Sequence, residues 1–582
     1  MRKSKEGYLY LTSLNTKFPF DENPLNEYPR PHLKRDSYLS LNGVWDFKLT
    51  KDEELPFSYS EKILVPYAVE SSLSGIGKLV KPDDIMFYHK KVTLPDEFLN
   101  GILILNFDGI DQVSEIYINN KLVSYSSCPY SRVQVKLDEY KKEFDLTIKV
   151  KDYTDTSYYQ RGKQTLKTNG WFYTSSSGIY KSVWIEKVDK NYIEDIYITP
   201  LYYSKSIEIF VKANGFSTAT VYLEGQEYTV EVNKQNKIKL INFHPYNLYD
   251  PYLYDIKVKY FDDEITSYFG MKKVEIKVGS NQYQRIFIND QETFLSGILY
   301  QGYHYLGNLT PVDNKSLYED LKKIKEMGFN LVRVHIKIES EIFYYYASKL
   351  GLFVMQDFPS GGNSYSFLAT VLPRFFPFLS NEKVLKSMES RLGRKNEAGK
   401  VQFEKEIFYY VRQLNNHPCN IIYTIFNEGW GEYDPRRIYL MLKEKFPGTL
   451  FDTASGWYDA ESDFYSIHTY TFPSLKREDK KKRCFIISEM GGIGYKDIMH
   501  SLFPGYFAHK KCRSKKALEN KIKKLYQKQL LPQKKRGLSL VIYTQFNDCE
   551  SEYNGLYTFD REEIKVGLDF ISEMNREMIE DN

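Results

Sequence analysis

Apolar and polar residues alternate along the first half of the chain, in short segments separated by turn residues such as Asn119-Asn120 and Asp262-Asp263. Alternation with a period of two predicts β-strands that bury one face. The segments with this pattern are 102–110, 114–125, 145–150, 181–188, 206–213, 218–225 and 253–261. Many short strands with regular turns are typical of β-sandwiches, and the stretch is too long for one of them. We therefore predict a larger sandwich over residues 1–189 and a smaller one over 190–277.

The pattern changes near residue 280, after which apolar segments alternate with segments of helical periodicity. Leu317, Leu321 and Ile324, for example, recur at the spacing of one helical face. Eight strand–helix units in about 300 residues match a (β/α)₈ barrel, which we predict over residues 278–582. The alternative is an open doubly wound sheet, but no glycine-rich phosphate-binding motif follows any strand. The eight strand candidates are 294–300, 330–335, 352–357, 421–428, 450–455, 464–470, 484–490 and 538–546.

Chain length, charge and aromatic content indicate which classes of function are expected. The chain has 582 residues, which is too many for one hydrophobic core and fits several domains. Its net charge of +4 is small. Its two basic runs, 476–483 and 509–524, are expected to be a solvated loop and helix rather than a nucleic-acid-binding face. Aromatic residues reach 16%, which suits a sugar-binding site but follows equally from a bias toward tyrosine.

Cysteine and hydropathy patterns bear on the cofactors and the compartment. The five cysteines are scattered and form no CxxC or Cys/His cluster, so neither a disulfide framework nor a zinc site is expected. Residues 1–20 hold no apolar stretch of signal-peptide length. No run of about 18 apolar residues occurs, so no membrane span is expected. We expect a soluble cytoplasmic protein with no membrane or nucleic-acid partner.

Polar residues end several of the predicted barrel strands. The C-terminal ends of the strands of a (β/α)₈ barrel meet at one face, where the reacting groups lie. We therefore expect one cleft to gather the side chains at these ends, namely His335, Asp357, Asn427-Glu428, His468, Tyr470, Glu489 and Asn547-Asp548.

Glu428 and Glu489 differ from the other residues of this set, because each follows an apolar run and stands just before glycine. Cleavage of a glycosidic bond needs one carboxylic acid to protonate the leaving oxygen and a second carboxylate to attack the anomeric carbon or activate water. A separation of about 5–5.5 Å between the two would indicate a retaining mechanism. The alternative for either glutamate alone is a structural salt bridge, but the pair, with Asn427 before the first, favours catalysis.

The motifs of the chain resemble those of glycoside hydrolase family 2, the group of β-galactosidases, β-glucuronidases and β-mannosidases. The resemblance covers nearly the whole chain and implies a multidomain fold: a jelly-roll β-sandwich with a sugar-binding-like fold, an immunoglobulin-like β-sandwich and a C-terminal TIM barrel. The segments that resemble the two sandwich domains are 41–49, 65–77, 161–186, 248–258 and 267–276. Those that resemble the barrel are "GFNLVRVHIKIES" (328–340), "NHPCNIIYTIFNEGWGE" (416–432) and "FIISEMGG" (485–492).

The resemblance also implies roles for individual residues. Glu428 matches the general acid/base and Glu489 the nucleophile. Asn427 matches the residue that binds the sugar 2-hydroxyl. Tyr470 matches a tyrosine that lies against the nucleophile, and His335 a histidine that contacts the substrate. The alternative for His335 is a barrel histidine whose hydrogen bonds are all internal.

His468, Asp357 and Trp457 are further candidates for substrate binding. For His468, a binding role and a structural role both stay open. Asp357 could bind a sugar hydroxyl or cap the next helix, and Trp457, like Trp430, could form an aromatic platform for a sugar or pack a loop. The Glu-x-His metal motif of the large β-galactosidases is missing after strand three, so the resemblance implies neither a metal nor another cofactor.

The specificity motifs of the family favour a neutral sugar. β-Glucuronidases carry an Asn-x-Lys motif whose lysine meets the uronate. This chain has "SEYNGLYTFD" (551–560) there, with no lysine and with Glu550 and Glu552 in the loop. The aspartate that the large β-galactosidases carry before the "SGI" turn is also missing. We expect a retaining exo-β-glycosidase for a neutral β-hexoside, a galactoside first. The alternatives are β-glucuronidase or β-mannosidase specificity, an endo-acting enzyme, or a non-catalytic carbohydrate-binding protein on the same scaffold.

A long aromatic insertion, 359–381, follows the third barrel strand. It is predicted to form either a lid or wall over the cleft or part of a subunit contact. A homo-oligomer is therefore compatible with the sequence, and the expected partner is a small carbohydrate.

Overall fold

The structure of the chain is a computed structural model. It describes residues 23–168, 170–279, 281–366, 369–370, 373, 382–470, 479–501 and 503–580. Much of the predicted insertion 359–381 and part of the basic run 476–483 therefore lie outside the described residues. None of the helices formed by the described residues is long and apolar enough to cross a lipid bilayer.

Two antiparallel sheets share one apolar core in the first β-rich region. One sheet has the order β3-β2-β4-β10-β7-β8, and the other has the order β1-β14-β5-β9. Apolar side chains of both sheets, such as Trp45 and Leu105, lie in the same buried cluster. The strands are β1 Tyr38–Ser40, β2 Gly43–Thr50, β3 Glu61–Val65, β4 Ile85–Thr93, β5 Ile102–Phe107, β6 Ile110–Asp111, β7 Val113–Ile118, β8 Lys121–Ser126, β9 Val133–Leu137, β10 Glu143–Lys151, β11 Gln164–Thr165, β12 Tyr173–Thr174, β13 Gly178–Ile179 and β14 Val183–Val188.

The alternation of residues along β2 explains how such a sheet forms. Trp45 and Phe47 are buried, whereas Val44 before them is 49% exposed. Successive side chains of a strand point to opposite faces, so one face packs on the core while the other meets solvent.

The second β-rich region also has two sheets around one core. The orders are β15-β16-β19 and β18-β17-β20-β21, and the shared cluster includes Val211 from one sheet and Val258 from the other. Both regions therefore contain the sandwich-like pairing that alternation predicted. The jelly-roll and immunoglobulin-like assignments and the boundaries near 189 and 277 stay predictions. The strands are β15 Ile193–Leu201, β16 Ser206–Ala213, β17 Thr218–Leu223, β18 Gln226–Glu231, β19 Gln235–Lys239, β20 Tyr254–Tyr260 and β21 Asp263–Phe269.

The third region is built on an eight-stranded parallel sheet that curls into a nearly closed barrel. Its order is β29-β28-β27-β26-β25-β34-β31-β30, and the two end strands lie against each other. Before it comes a small antiparallel sheet, β22-β23-β24, whose residues Ile286 and Ile288 pack against Leu295 and Leu331 of the barrel. The strands are β22 Val274–Val278, β23 Gln284–Ile288, β24 Gln291–Glu292, β25 Leu295–Tyr300, β26 Leu331–Val334, β27 Phe353–Asp357, β28 Asn420–Asn427, β29 Leu450–Ser455, β30 Phe464–Thr469, β31 Cys484–Gly491, β32 Ile493–Tyr495, β33 Lys510–Cys512 and β34 Leu538–Thr544.

Every predicted barrel strand is present. The largest difference from prediction is in β34, which was expected to end at residue 546 and ends at Thr544. Helices connect the barrel strands, and the first of them buries Leu317, Leu321 and Ile324 as their spacing predicted. The α-helices are Asn314–Glu326, Glu341–Leu350, Glu382–Met388, Glu397–Leu414, Pro435–Lys445, Lys515–Leu525, Leu531–Lys534 and Leu568–Glu580. Shorter helical turns are Pro31–Leu33, Ser72–Ser74, Asp96–Phe98 and Tyr526–Leu530.

Candidate active site

A cavity of about 580 Å³ lies at the C-terminal ends of the barrel strands. Its wall comes from two parts of the chain that are far apart in sequence. The first β-rich region supplies Asp155, Arg161, Lys163, Thr165, Trp171 and Phe172. The barrel region supplies residues that include Gln301, His335, Tyr365, Glu428, Trp430, Trp457, Tyr470, Glu489, His509 and Glu552.

Glu428 reaches the cavity because the backbone turns at the end of β28. The strand buries every residue from Asn420 to Asn427, and Glu428 then takes a left-handed conformation with φ 51°. Its N–H donates to the carbonyl of Ser455 at 2.9 Å, which ties the turn to β29. The Glu428 carboxyl stays 15% exposed and lies 2.7 Å from Nδ1 of His468.

Glu489 lies on β31 inside a set of hydrogen-bond donors. Its Oε2 accepts a hydrogen bond from the Tyr470 hydroxyl. Its Oε1 accepts a hydrogen bond from Nη1 of Arg333 at 3.2 Å. Burial acts to raise the pKa of Glu489, but the charges of His468, His335 and Arg333 and the hydrogen bond from Tyr470 hold that pKa well below its usual range. Glu489 is therefore ionised at neutral pH.

The two glutamates lie close together. One carboxylate oxygen of Glu428, one of Glu489 and a ring nitrogen of His468 all lie within 4.8 Å of one another. His468 bridges the pair, because its Nδ1 bonds Glu428 while its Nε2 is 3.6 Å from Oε1 of Glu489. The two carboxyl groups therefore lie in the same part of the cavity.

Arg333 organises the floor of the site. Its guanidinium is fully buried and donates to Asp357 at 2.9 Å, to the carbonyl of Ser488 at 2.7 Å and to Oδ1 of Asn427 at 2.8 Å. Because arginine only donates, the amide oxygen of Asn427 must face it and the amide nitrogen must point elsewhere. That nitrogen is buried and has no hydrogen-bond partner among the described residues.

His335 and Asp357 form a buried pair beside Glu489. Nδ1 of His335 is 2.7 Å from Oδ2 of Asp357, and its Nε2 is 3.9 Å from Oε1 of Glu489. Burial lowers the pKa of His335. His335 lines the cavity, whereas Asp357 lies behind it, bound to Arg333 as well. Asp357 therefore holds His335 in place and does not reach the cavity wall.

A chain of hydroxyl groups supports His468 from behind. Its Nε2 is 3.0 Å from Oγ of Ser455, which is 2.8 Å from Oγ of Ser488. Ser466 continues the chain from Ser488 to Asp452 at 2.8 Å. Burial raises the pKa of Asp452 to about 6. The position of His468 between Glu428 and these hydroxyls is therefore fixed on both ring nitrogens.

Tryptophan side chains form part of the cavity wall, as their positions suggested. Trp457 meets the ring of His468 edge-on, with 5.3 Å between ring centres. Trp430 packs against Phe172 of the first β-rich region at 5.0 Å and stacks on Tyr365. Both Trp430 and Trp457 line the cavity.

Comparison with known proteins gives low but extended similarity. No protein-family model matches the chain. A β-glucuronidase of Streptococcus agalactiae is 22% identical over 439 residues, which is 69% of this chain and 68% of the relative. The large subunit of a β-galactosidase of Lactobacillus helveticus is 22% identical over 393 residues, which is 61% of this chain and 60% of the relative. The matches thus span about two thirds or less of the length of these relatives.

The fold is shared over almost the whole chain. The crystal structure of a GH2 β-galacturonidase of Eisenbergiella tayi, bound to galacturonate, superposes with a TM-score of 0.67 at 16% identity. The match covers 94% of this chain and 99% of that one. The resemblance to glycoside hydrolase family 2 is confirmed. The family 2-like architecture of this chain therefore includes the barrel and the regions before it.

Several groups in the family 2-like chain could offer ligands to a metal ion. Among the described residues they are the set Glu428, His468 and Glu489, the set His32, Glu341 and His417, and the set His500, Asp560 and Glu562. In the first set the same atoms already bond one another or Tyr470. A metal there would have to displace those hydrogen bonds.

The structure gathers the eight residues predicted for catalysis or substrate binding into one region, whereas Asn547 and Asp548, which were also expected in the cleft, do not line the cavity. Glu428, Glu489, His335, Tyr470 and Trp457 line the cavity. Asn427, His468 and Asp357 contact those residues or Arg333 from behind. Of the predicted insertion, Ser364, Tyr365 and Thr370 line the cavity, and much of the rest lies outside the described residues.

Sequence reasoning missed three cations of the site, Arg333, Arg161 and Lys163. Arg333 could have been found, since it stands two positions before His335 in "NLVRVH" and side chains two apart on a strand share a face. Nothing in the local sequence of Lys163 marks it, because it belongs to the first β-rich region and reaches the cavity only through the packing of that region on the barrel.

Proposed function

We propose that the chain is a retaining β-glycosidase that removes a terminal sugar from an O-glycoside. The observation that carries the proposal is the pair of carboxylates in one cavity, with one oxygen of Glu428 and one of Glu489 within 4.8 Å of each other. Such a short separation suits direct attack by one carboxylate, as in retaining enzymes, better than the wider spacing of inverting enzymes, which is about 6.5–9.5 Å.

The reaction has two steps. In the first, the ionised carboxylate of Glu489 attacks the anomeric carbon while Glu428 gives its proton to the glycosidic oxygen, and the alcohol leaves. In the second, Glu428 takes a proton from water, the water oxygen attacks the same carbon, and the bond to Glu489 breaks. The sugar leaves with its original anomeric configuration.

The surroundings of each glutamate suit these roles. The donors around Glu489, which are Tyr470 and Arg333, stabilise its ionised form. The Glu428 carboxyl lies in hydrogen-bond contact with Nδ1 of His468. When Glu428 holds its proton, Nδ1 of His468 accepts it in a hydrogen bond and Nε2–H faces Ser455. When Glu428 is ionised, the same ring can donate from Nδ1 instead.

Other residues hold the sugar. The unpartnered amide nitrogen of Asn427 suits donation to the 2-hydroxyl, a contact that strengthens in the transition state. His335 offers Nε2 to the cavity, positioned by Asp357. Trp457 and Trp430 supply flat apolar faces for the C–H face of a sugar ring. The carbohydrate is the proposed partner, and cytoplasmic location and self-association stay predictions from the sequence.

The identity of the sugar has two candidates. The motifs predicted a neutral β-hexoside, a galactoside first. The relatives are named β-glucuronidase and β-galactosidase, so a uronate is the second candidate. Removal of a terminal sugar is supported by the wall that the first β-rich region, through Lys163 and Phe172, adds to the cavity.

Hydrolysis of p-nitrophenyl β-glycosides tests the proposal. The panel contains galactoside, glucoside, mannoside, xyloside, fucoside, glucuronide and galacturonide. We expect release from at least one of them. Glu489→Gln should lower kcat by roughly 10⁴-fold or more, because the nucleophile is lost.

The control variant is Glu406→Gln, a buried carboxyl bonded to Tyr410 outside the cavity. It should keep the wild-type rate. Full activity of Glu489→Gln would refute the nucleophile. Saturable sugar binding without hydrolysis of any glycoside by the wild type would instead indicate a carbohydrate-binding protein on the same scaffold.

A further inference from the structure

Lys163 is a buried cation that lines the active-site cavity without a counter-ion in contact. It is 6% exposed. Its ammonium group lies over the rings of Tyr173 at 5.1 Å and Trp430 at 5.6 Å. Among the described residues, none accepts a hydrogen bond from its side chain and no carboxylate lies within ion-pair distance. The charge therefore lies in the cavity wall beside two aromatic rings and forms no ion pair with the described residues.

Two other buried lysines of the barrel, Lys337 and Lys565, are paired with carboxylates. Nζ of Lys337 lies 2.8 Å from the carboxylate of Glu339, and Nζ of Lys565 lies 2.5 Å from that of Asp548. Lysine is almost never buried unless it is paired, because removing its charge from water is costly. Lys163 lacks the paired carboxylate that Lys337 and Lys565 have. We therefore expect an anion from outside the chain to balance its charge.

The groups around Lys163 do not cancel its charge. Arg161, two residues earlier, also lines the cavity and donates to the carbonyls of Gln164 and Gly362. Glu552 faces the same part of the cavity, but its two oxygens accept hydrogen bonds from Tyr173 and Asn554. Burial raises the pKa of Glu552, although the charge of Lys163 acts against the rise. The cavity thus holds two cations with no carboxylate in direct contact.

We infer that Lys163 binds a negatively charged substituent on the sugar that the cavity holds, such as the carboxylate of a uronic acid or a sulfate ester. The inference rests on the proposed glycosidase function and names its substrate class. The absence of a lysine in the loop 551–554 argued for a neutral sugar, but a cation from the first β-rich region takes the corresponding electrostatic role here. An oxyanion placed between Lys163 and Arg161 would satisfy both cations with charge-assisted hydrogen bonds.

Matched pairs of substrates measure the effect. The pairs are p-nitrophenyl β-galactoside with β-galacturonide and β-glucoside with β-glucuronide, and β-galactoside 6-sulfate forms a third arm. The wild type should show a kcat/KM for a charged glycoside that exceeds that of its neutral counterpart by roughly 100-fold. The sulfate arm, compared with the uronides, identifies which oxyanion the subsite takes.

Substitution of Lys163 assigns the preference to this residue. Lys163→Met should lower the charged-to-neutral ratio of kcat/KM by roughly 100-fold, whereas Lys163→Arg should keep most of it. The control is Lys90→Met, which removes a half-buried lysine over the Trp45 ring outside the cavity. The ratio of this control should equal that of the wild type.

Several outcomes would overturn the inference. A wild type that hydrolyses neutral glycosides through Glu489 but no charged glycoside leaves the proposed function intact and refutes the role of Lys163. An unchanged charged-to-neutral ratio of kcat/KM in Lys163→Met also refutes the role of Lys163 and leaves the proposed function intact. If no glycoside of either kind is hydrolysed, the proposed function itself fails. Should Lys163→Met not fold, inhibition of the wild type by free galacturonate and by galactose decides, with equal inhibition counting against the inference.

Discussion

At the residue scale, the site separates two chemically identical side chains by their contacts. Glu489 meets a phenol, a guanidinium and two imidazole rings, whereas Glu428 meets one imidazole and stays in touch with the cavity. Donors that favour an ionised carboxylate suit a nucleophile, and exposure to the cavity suits an acid that must reach the glycosidic oxygen. The roles follow from these surroundings and not from the residue type.

Tyr470→Phe tests the surroundings of the nucleophile. The variant removes a hydrogen-bond donor from ionised Glu489, so the pKa of Glu489, which the native contacts depress, should rise. The acidic limb of the kcat/KM profile follows the ionised fraction of Glu489, so it should move to higher pH. The alkaline limb should stay in place.

The control for this measurement is Tyr246→Phe. Tyr246 is equally buried and donates to the carbonyl of Ser348 at 2.9 Å, far from the cavity. Its pH profile should match the wild type. An acidic limb that does not move in Tyr470→Phe would contradict the assignment of Glu489 as the group that must be ionised.

At the element scale, the turn that follows β28 aims Glu428. Glu428 and Gly429 both have left-handed backbones, with φ 51° and 79°. A Cβ on Gly429 would lie 2.6 Å from the ring of Tyr458. The turn therefore needs glycine both for its backbone angle and for the close approach of Tyr458.

Gly429→Ala should displace Glu428 and lower kcat by roughly 10²-fold, because a shift of about 1 Å in a reacting group has an effect of that size. Gly448→Ala is the matched control. Gly448 also has a positive φ, of 86°, but nothing lies within 4 Å of its Cβ position. Equal loss of kcat in the two variants would mean that backbone strain, and not the position of Glu428, is responsible.

The elements also show what the sequence could predict. Apolar runs ending in polar residues located the eight barrel strands and the strand ends from which Glu428 and Glu489 reach the cavity, because barrel geometry requires that pattern. The hydrogen bond between His468 and Glu428 depends on how the ends of two strands meet in space. The spacing of residues along the chain holds no information about that geometry. The place of Lys163 depends on the packing of one region on another, so no local pattern predicted it.

At the scale of the whole molecule, a buried ionic network joins the first β-rich region to the barrel. Arg132 donates to Asp108 at 2.9 Å and also to Glu341 of the barrel helix Glu341–Leu350. Glu341 also bonds His32 and Gln413. The same β-rich region supplies Lys163 and Phe172 to the cavity. The ionic network that holds this region against the barrel therefore also helps to shape the substrate site.

Arg132→Met should weaken the contact between the first β-rich region and the barrel. The variant leaves Asp108 and Glu341 buried without their partner, a change of about 3–5 kcal/mol in the free energy of unfolding. We expect a lower unfolding temperature together with a raised KM, because the cavity wall moves. Lys142→Met, which breaks an exposed ion pair with Asp96 in the same region, should change neither. If the unfolding temperature fell while KM stayed unchanged, the ionic network around Arg132 would stabilise the fold without shaping the substrate site.

The measurement that tests the central claim most directly is the identity of the residue that becomes covalently bound to the sugar. A 2-deoxy-2-fluoro β-glycoside of the preferred sugar, with a good leaving group, should accumulate the intermediate, which peptide mass mapping then locates. We predict that the sugar mass appears on the peptide containing Glu489 as activity is lost. A label on the Glu428 peptide, or turnover of ordinary glycosides with inverted configuration, would contradict the account.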